Sequence, residues 1–327
     1  MTIETALPNP AATRTGRGIP PALFVFALLA AVPFVSTWLG TSYYMTLFSR
    51  IMILGMAAIG LNLILGFGGL VSLGHALYIG VGAYAVGILS RYGIVDLGAH
   101  LAFMLALVVP VACGIGWVSL RTRGLGFIMI TMAFGQMFYF LAVSLKIYGG
   151  DEGLVIQARS LITGRGLLET PAAFYGLVLA LLAATAWIVH TLTRSPFGLV
   201  LSGARQSEQR MRTLGYPLLR YRLAAYVISA VIAGLAGCLL ADLTLFASPE
   251  YMSWTQSGTL VAMIVLGGLG TTVGPLVGAI VLLLLEEVLS SRTDHWLVIV
   301  GPTIVAIVLF ASRGLYGALA SGRGSEP

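Results

Sequence analysis

Residues 222–245 read RLAAYVISAVIAGLAGCLLADLTL, and only the first residue and Asp242 of this run carry a charge. At about 1.5 Å per residue, a helix of this length is longer than the roughly 30 Å hydrocarbon core of a bilayer. Lipid offers no hydrogen-bond partner to an open backbone, so the run is expected to cross a membrane as a helix.

The composition of the whole chain is close to that of this run. Of its 327 residues, 58% are hydrophobic and 9% are charged, and the mean hydropathy is +0.97. Soluble domains carry about a quarter charged residues, so the composition excludes a soluble globular protein. We predict an all-α, polytopic membrane helical bundle of about eight to ten transmembrane helices, because one of ten apolar runs is short for a crossing. The predicted spans are 20–39, 46–66, 69–90, 99–120, 124–144, 172–193, 222–245, 257–270, 272–291 and 295–312.

The cations predict the orientation. A polar tail, 1–19, precedes the predicted transmembrane domain, 20–313, and a second tail, 314–327, follows it. If all ten runs cross, a cytoplasmic N-terminus places 12 of the 18 Lys and Arg residues in the cytoplasm, as the positive-inside tendency favours. Both tails and the loop 194–222 are then cytoplasmic. The first apolar run is longer than the roughly 7–15-residue core of a signal peptide and is interpreted as an uncleaved span.

Two glycine-rich clusters, 60–87 and 266–279, share a Gly-Gly-Leu step and a glycine a few residues later. Glycine-interrupted helices at matching positions in two halves of a chain indicate a transporter's path near the bilayer midplane. Tight helix packing is the alternative interpretation. The candidate path or packing residues are Asn62, Gly68, Gly69, Gly74, His75, Gly267, Gly268 and Gly274.

Four other polar residues lie in or near the spans: Gln136, Asp242, Glu286 and Glu287. Ion coupling needs ionisable groups that pair within the membrane, and these are spread over different segments. We expect structural or interfacial roles for them, and a structural hydrogen bond rather than proton transfer for His75.

Catalytic, nucleotide and metal-binding motifs are missing from the sequence. There is no G-x-x-x-x-G-K-[ST] element and the only lysine is Lys146, so the chain cannot form a Walker A loop. Cys113 and Cys238 lie in apolar runs and indicate neither a disulfide framework nor a thiolate metal site. We expect no enzyme activity, no metal and no cofactor. The scattered arginines suit membrane lipid rather than nucleic acid.

The loop 194–222 holds six arginines and one acidic residue. Within it, GARQSEQRMRTLG (203–215) predicts a short polar helix that ends at Gly215. A polar helix with a small apolar tip, here Met211 and Leu214, suits docking into a groove of another protein. A solvated loop that only sets topology is the alternative.

Several stretches resemble the LivM-type permeases, which are membrane subunits of ABC importers for branched-chain amino acids, with relatives that handle urea, short amides and other small solutes. These stretches are LNLILGFGGLVSLGHALYIGVGAYA (61–85), RTRGLGFIMITMAFGQ (121–136), GGDEGL (149–154), the segment 194–237 and YMSWTQSGTLVAMIVLGGLGTTVGPLVGA (251–279). The resemblance implies a bacterial inner-membrane subunit that works with a homologous LivH-type permease, two ATP-binding subunits and a periplasmic substrate-binding protein. It also implies that 203–215 is the coupling helix, with Arg205, Glu208, Arg212 and Gly215 as its contact residues.

The expected function is that of a permease subunit in an ATP-driven importer of branched-chain amino acids or a similar small polar solute. A secondary transporter or channel that works without ATPase subunits is the alternative. The sequence does not select the solute, because the resemblance places specificity largely in the separate binding protein.

Overall fold

The computed structural model of the chain describes residues 21–39, 41–161, 170–292, 298–299, 301–302 and 315. The predicted tails 1–19 and 314–327 lie outside this part of the chain, except for Leu315. Most of the predicted span 295–312 lies outside it as well, so the tenth crossing stays a prediction.

Within the described residues the fold is almost entirely helical. The helices are α1 (Pro21–Leu39), α2 (Tyr43–Asn62), α3 (Ala76–Arg91), α4 (Leu97–Ser119), α5 (Leu125–Ser144), α6 (Pro171–Arg194), α7 (Pro196–Gln206), α8 (Glu208–Thr213), α9 (Leu218–Thr244), α10 (Trp254–Gly267) and α11 (Gly274–Ser290). A π-helical turn, Leu63–Phe67, continues α2. Two short strands, β1 (Leu154–Val155) and β2 (Phe246–Ala247), pair antiparallel, with Leu154 opposite Ala247.

In the described part of the chain, five helices are long and apolar enough to cross a membrane: α2 with its π turn, α4, α5, α6 and α9. Shorter apolar helices lie at Ala22–Phe34, Ala76–Arg91 and Trp254–Gly267. The predicted all-α membrane bundle is confirmed, and the number of its crossings remains a prediction.

Two predicted spans begin or end elsewhere than expected. The span predicted at 69–90 becomes helical only at Ala76, and residues 68–75 form an irregular segment. The span predicted at 257–270 starts at Trp254 and stops at Gly267, so residues 268–273 form a second irregular segment before α11. Hydropathy could not detect these breaks, because their glycines and apolar side chains score like those of a helix.

Burial separates the centre of the bundle from its rim. In the most apolar window of α2 with its π turn, 89% of the residues are buried, and in α9 67% are buried. The corresponding values are 28% for α4 and 22% for α5. Most residues of α3 are buried as well, so α2, α3 and α9 form the core. Fewer than a third of the residues in the windows of α4 and α5 are buried, as is typical of helices that face lipid.

Successive helices run in alternating directions, so the bundle has two ends, and these differ in their charged residues. At one end α2, α4, α6 and α10 stop, and α7 and α8 lie there. Among the described residues, this arginine-rich end carries a single acidic side chain, that of Glu208. Its described arginines are Arg121, Arg123, Arg194, Arg205, Arg210, Arg212, Arg220 and Arg222. The opposite, acidic end contains the β1–β2 pair, and its carboxylates include Asp96, Asp151, Glu152, Glu250, Glu286 and Glu287.

Candidate functional site

The two irregular segments, 68–75 and 268–273, belong to one structural unit that Asn62 helps to hold. The Asn62 side-chain amide donates from Nδ2 to the carbonyl of Thr271 at 2.8 Å, and its Oδ1 accepts from the Gly270 amide at 3.3 Å. Asn62 is fully buried at the end of α2. Its carboxamide therefore satisfies backbone groups that the break after α10 leaves without helical partners.

The candidate glycines lie where backbone comes close to backbone or to a side chain. A Cβ at Gly74 would overlap the Thr131 carbonyl of α5, and a Cβ at Gly267 would overlap the Gly274 carbonyl. At Gly274 itself the obstacle is the hydroxyl of Thr271. Close approach explains these positions, since only glycine leaves room for it.

The glycines of the two Gly-Gly-Leu steps occupy the ends of helical segments. Gly68 follows the π turn, where a Cβ would lie 2.6 Å from the Ile64 carbonyl oxygen. Gly69 has φ +70° and lies beneath the Arg205 side chain, whose Cγ would be 2.8 Å from a Cβ. Gly268 terminates α10 and donates its amide to the Ile264 carbonyl at 2.9 Å.

His75 lies in the middle of the bundle, just before α3, and is fully buried. The Ser229 hydroxyl of α9 donates to the Gly60 carbonyl at 2.6 Å and lies 2.8 Å from His75 Nε2. Because the single hydroxyl proton of Ser229 is used for Gly60, the imidazole donates from Nε2. His75 thereby connects α2, α3 and α9, and the rings of Tyr78 and Tyr226 pack edge-on against it.

The segment 203–215, predicted as one helix, is two helices. The chain leaves α7 at Ser207, whose backbone is extended, and the Ser207 Oγ caps α8 by accepting from the Arg210 amide at 3.3 Å. Gly203 faces Met211 across this corner, with a Cβ position 2.8 Å from the sulfur. Gly215 follows α8 with φ +84° and open space around it, so it ends the helix as predicted.

Glu208 is the hub of the corner between α7 and α8. Its carboxylate accepts from Arg212 at 2.7 Å, from Arg123 at 2.9 Å and from Arg222 at 3.1 Å. Burial raises the pKa of Glu208, but the hydrogen bond and charge of Arg222, with the charges of Arg123 and Arg212, more than offset this and lower the pKa below its ordinary value. The ionised carboxylate ties α8 to the α4–α5 turn and to α9.

Arg205 connects the α7–α8 segment to the first irregular segment, 68–75, and to the π turn before it. From α7 its guanidinium donates to the Gly66 carbonyl in the π turn, and its aliphatic stem covers Gly69. A Cβ position at Gly270, in the second break, lies 3.8 Å from the same guanidinium nitrogen. The Arg205 side chain therefore contacts the irregular segment 68–75 and approaches the irregular segment 268–273.

The remaining polar residues of the spans have separate structural roles. Asp242 is fully buried near the end of α9 and accepts from the Ser160 amide at 3.1 Å and the Ser160 hydroxyl at 2.7 Å. His100 Nδ1 lies 2.7 Å from the same hydroxyl. At the acidic end, Glu287 of α11 accepts from the Tyr43 hydroxyl of α2. Gln136 is half-buried on α5.

Sequence reasoning did not find several of these partners, namely Arg123, Arg222, Ser229, Thr131, Thr271, Ser160 and His100. One signal was available: Glu208 is the single acidic residue among the arginines of its loop, which makes it the obvious acceptor for cations from neighbouring turns. Among the described residues, no group of three or more His, Cys, Asp or Glu side chains could hold a metal ion.

Comparison with known proteins agrees with this architecture. The family described as "Branched-chain amino acid transport system / permease component" matches residues 43–309. The high-affinity branched-chain amino acid transport system permease protein LivM of Escherichia coli (strain K12) is 29% identical over 321 residues, covering 90% of this chain and 74% of LivM. The autoinducer 2 import system permease protein LsrC of Yersinia pestis (strain Pestoides F) is 26% identical over 311 residues, covering 92% and 85%. No solved structure matches significantly.

A buried helical core with two glycine breaks, and an arginine-rich end that carries two short helices, define a polytopic membrane permease. The chain belongs to the family of permease components of branched-chain amino acid transport systems, since the match covers most of its length. It is a transporter subunit rather than an enzyme.

Proposed function

We propose that this chain is the permease subunit of an ATP-driven importer in the bacterial inner membrane. It forms the translocation path together with a homologous LivH-type permease. Two ATP-binding subunits supply the energy, and a periplasmic binding protein delivers the substrate. Support comes from the family and from LivM, whose name assigns it to branched-chain amino acid transport.

The arginine-rich end is the cytoplasmic end in this proposal, with the N-terminus on the same side. In the part of the chain that the structure describes, it holds eight arginines and one carboxylate, whereas carboxylates outnumber cations at the acidic end. This asymmetry follows the positive-inside tendency. The α7–α8 segment then faces the ATP-binding subunits, and the β1–β2 pair faces the periplasm and the binding protein.

The link from Arg205 to Gly66 is the observation that carries the coupling part of the proposal. A rigid-body motion of α7 reaches the end of α2 directly through this side chain. The three arginines on Glu208 hold α8, the turn before α5 and the start of α9 as one body. The α7–α8 segment can therefore transmit a movement to the irregular segments 68–75 and 268–273.

The substrate class is branched-chain amino acids or a similar small polar solute. The test is uptake of radiolabelled leucine into proteoliposomes that contain the full complex and its binding protein. We expect uptake to require ATP hydrolysis and to be inhibited by unlabelled isoleucine and valine, but not by urea or acetamide. Leucine transport by this chain alone, without ATP-binding subunits, would instead establish the secondary transporter or channel.

A further inference from the structure

A cavity of about 220 Å³ opens at the arginine-rich end, between the end of α4, α8 and the start of α9. It is lined by the charged side chains of Arg121, Arg123, Arg212, Arg222 and Glu208. Apolar lining comes from Leu120, directly after α4, and from Leu218 and Leu219 at the start of α9. A phosphate group, with four oxygens around its phosphorus, is small enough for this volume.

The charges of the cavity do not balance. Glu208 accepts hydrogen bonds from three of the arginines, so four cations share one anion. Arg222 is the most buried of them, with 12% of its side chain exposed, and its Nε is buried with no hydrogen-bond partner. A guanidinium offers five donors in a fixed planar arrangement, and a phosphate has the matching acceptors. The surplus of positive charge and the unused donor both point to an anion.

The cavity also borders an exposed apolar surface at the end of α4. The guanidinium of Arg121 stacks 3.7 Å above the ring of Trp117, which is 49% exposed at the end of α4. Val118 beside it is 41% exposed, and only 28% of the most apolar window of α4 is buried. Tryptophan and arginine at the end of an apolar helix are typical of the headgroup level of a bilayer.

We propose that this cavity binds the phosphate of an anionic phospholipid headgroup, with Arg121 and Arg123 as its entrance and Arg222 at its base. The apolar rim on α4 accommodates the first part of the acyl chains. This lipid site lies outside the proposed translocation path, and its presence does not depend on the identity of the transported solute.

The position of Trp117 allows a direct test. The full-length chain, with Trp38, Trp187, Trp254 and Trp296 changed to Phe, is placed in nanodiscs with brominated phosphatidylglycerol or brominated phosphatidylcholine at equal mole fraction. Bromine quenches nearby indole fluorescence, so the ratio of the two signals reports the local preference for anionic lipid at Trp117. Arg121→Gln/Arg123→Gln removes two cavity cations, and Arg194→Gln/Arg220→Gln removes two exposed arginines of the same end that do not line the cavity.

We expect phosphatidylglycerol to be preferred at Trp117, and the preference to fall about tenfold in Arg121→Gln/Arg123→Gln. The Arg194→Gln/Arg220→Gln control should retain it. Native mass spectrometry of the chain with all its tryptophans checks the same ranking by the phosphatidylglycerol that stays bound. Arg121 and Arg123 are both exposed, so we expect the bundle to stay folded when they are replaced. Size-exclusion chromatography verifies this.

Four results would overturn the lipid site. Equal quenching by the two lipids would show that Trp117 has no preference for anionic lipid. An equal loss of the preference in both double variants would show only diffuse attraction to the positive end. Removal of the preference by millimolar inorganic phosphate, beyond the effect of sodium chloride at the same ionic strength, would assign the cavity to a free anion. Unchanged lipid preference in Arg121→Gln/Arg123→Gln, together with lost co-purification of the ATP-binding subunits, would assign it to a protein carboxylate.

Discussion

Arg205 of α7 donates a hydrogen bond to the backbone carbonyl of Gly66, which lies 139 residues earlier in the π turn that ends α2. The bond joins α7, at the arginine-rich end, to α2, whose most apolar window is 89% buried. Carbonyl groups at a helix end have no partner within the helix, and this one obtains a charged donor from outside it. A movement of α7 must either carry the end of α2 with it or break this bond.

The ion pairs of Glu208 predict a loss of stability in Glu208→Gln. The pairs with Arg123 and Arg212 contribute little, because these arginines are more than 60% exposed. The pair with the largely buried Arg222 dominates, and its loss should lower the free energy of unfolding by about 1–3 kcal/mol. Thermal unfolding in detergent measures the effect. Asp151→Asn, at an exposed position of the acidic end, is the control and should leave the melting temperature unchanged.

The same carboxylate predicts a pH dependence with a definite sign. The pKa of Glu208 is lower in the folded protein than its ordinary value of about 4.3. Its ionised form therefore stabilises the fold above that ordinary value, and the contribution disappears as the pH falls through the lower, folded-state pKa. The difference in melting temperature between wild type and Glu208→Gln should be constant from pH 7 to about 5 and shrink in more acidic solution. A difference that grows on acidification would contradict the ion-pair assignment.

Gly215→Val is expected to uncouple transport from ATP hydrolysis. Gly215 has φ +84° and nothing within 4 Å of a Cβ position, so the cost is backbone strain rather than a clash. A β-branched residue would shift the end of α8 away from its present geometry. Gly176→Val is the matched control, because Gly176 also has open space but lies within the α6 helix. Uptake and ATPase activity of the reconstituted complex give the result, and equal behaviour of the two variants would refute the prediction.

Gly74→Ala should reduce transport and stability together. Its Cβ would overlap the Thr131 carbonyl, and the backbone of α5 can yield only by moving away from the break at 68–75. Overpacking of this kind costs about 1–3 kcal/mol. Gly114→Ala on α4, where nothing lies within 4 Å, is the control. Wild-type uptake in Gly74→Ala would show that α5 does not pack against the break in the working transporter.

The orientation predicts that cysteines at Gln209 and Asp151 react from opposite sides of the membrane. Both positions are exposed, Gln209 on α8 and Asp151 at the acidic end. They are introduced into a chain with Cys113→Ala and Cys238→Ala. An impermeant maleimide added to intact spheroplasts should label the Asp151 position and leave the Gln209 position unlabelled until the cells are lysed. Labelling of Gln209 from outside would reverse the proposed topology.

Much of the helical fold could be predicted because lipid leaves an apolar run few alternatives. The run 222–245 became α9 (218–244), and the run 124–144 became α5 (125–144). The corner at Ser207 was missed, although a serine followed directly by a glutamate is a recognisable start of a helix. Contacts such as Asn62 with Thr271 could not be predicted, because nothing in the local sequence specifies a hydrogen bond between residues 209 positions apart.

The Arg205 side chain provides the most direct measurement of the proposed coupling. Arg205→Gln removes the charged donor to Gly66, and Arg194→Gln changes an exposed arginine at the same end of the bundle. The quantity to compare is leucine uptake per ATP hydrolysed in the reconstituted complex. We predict that this ratio falls several-fold in Arg205→Gln, with the subunits still assembled, and is unchanged in Arg194→Gln. A wild-type ratio in Arg205→Gln would contradict the account, because α7 would then move the path without the bond to α2.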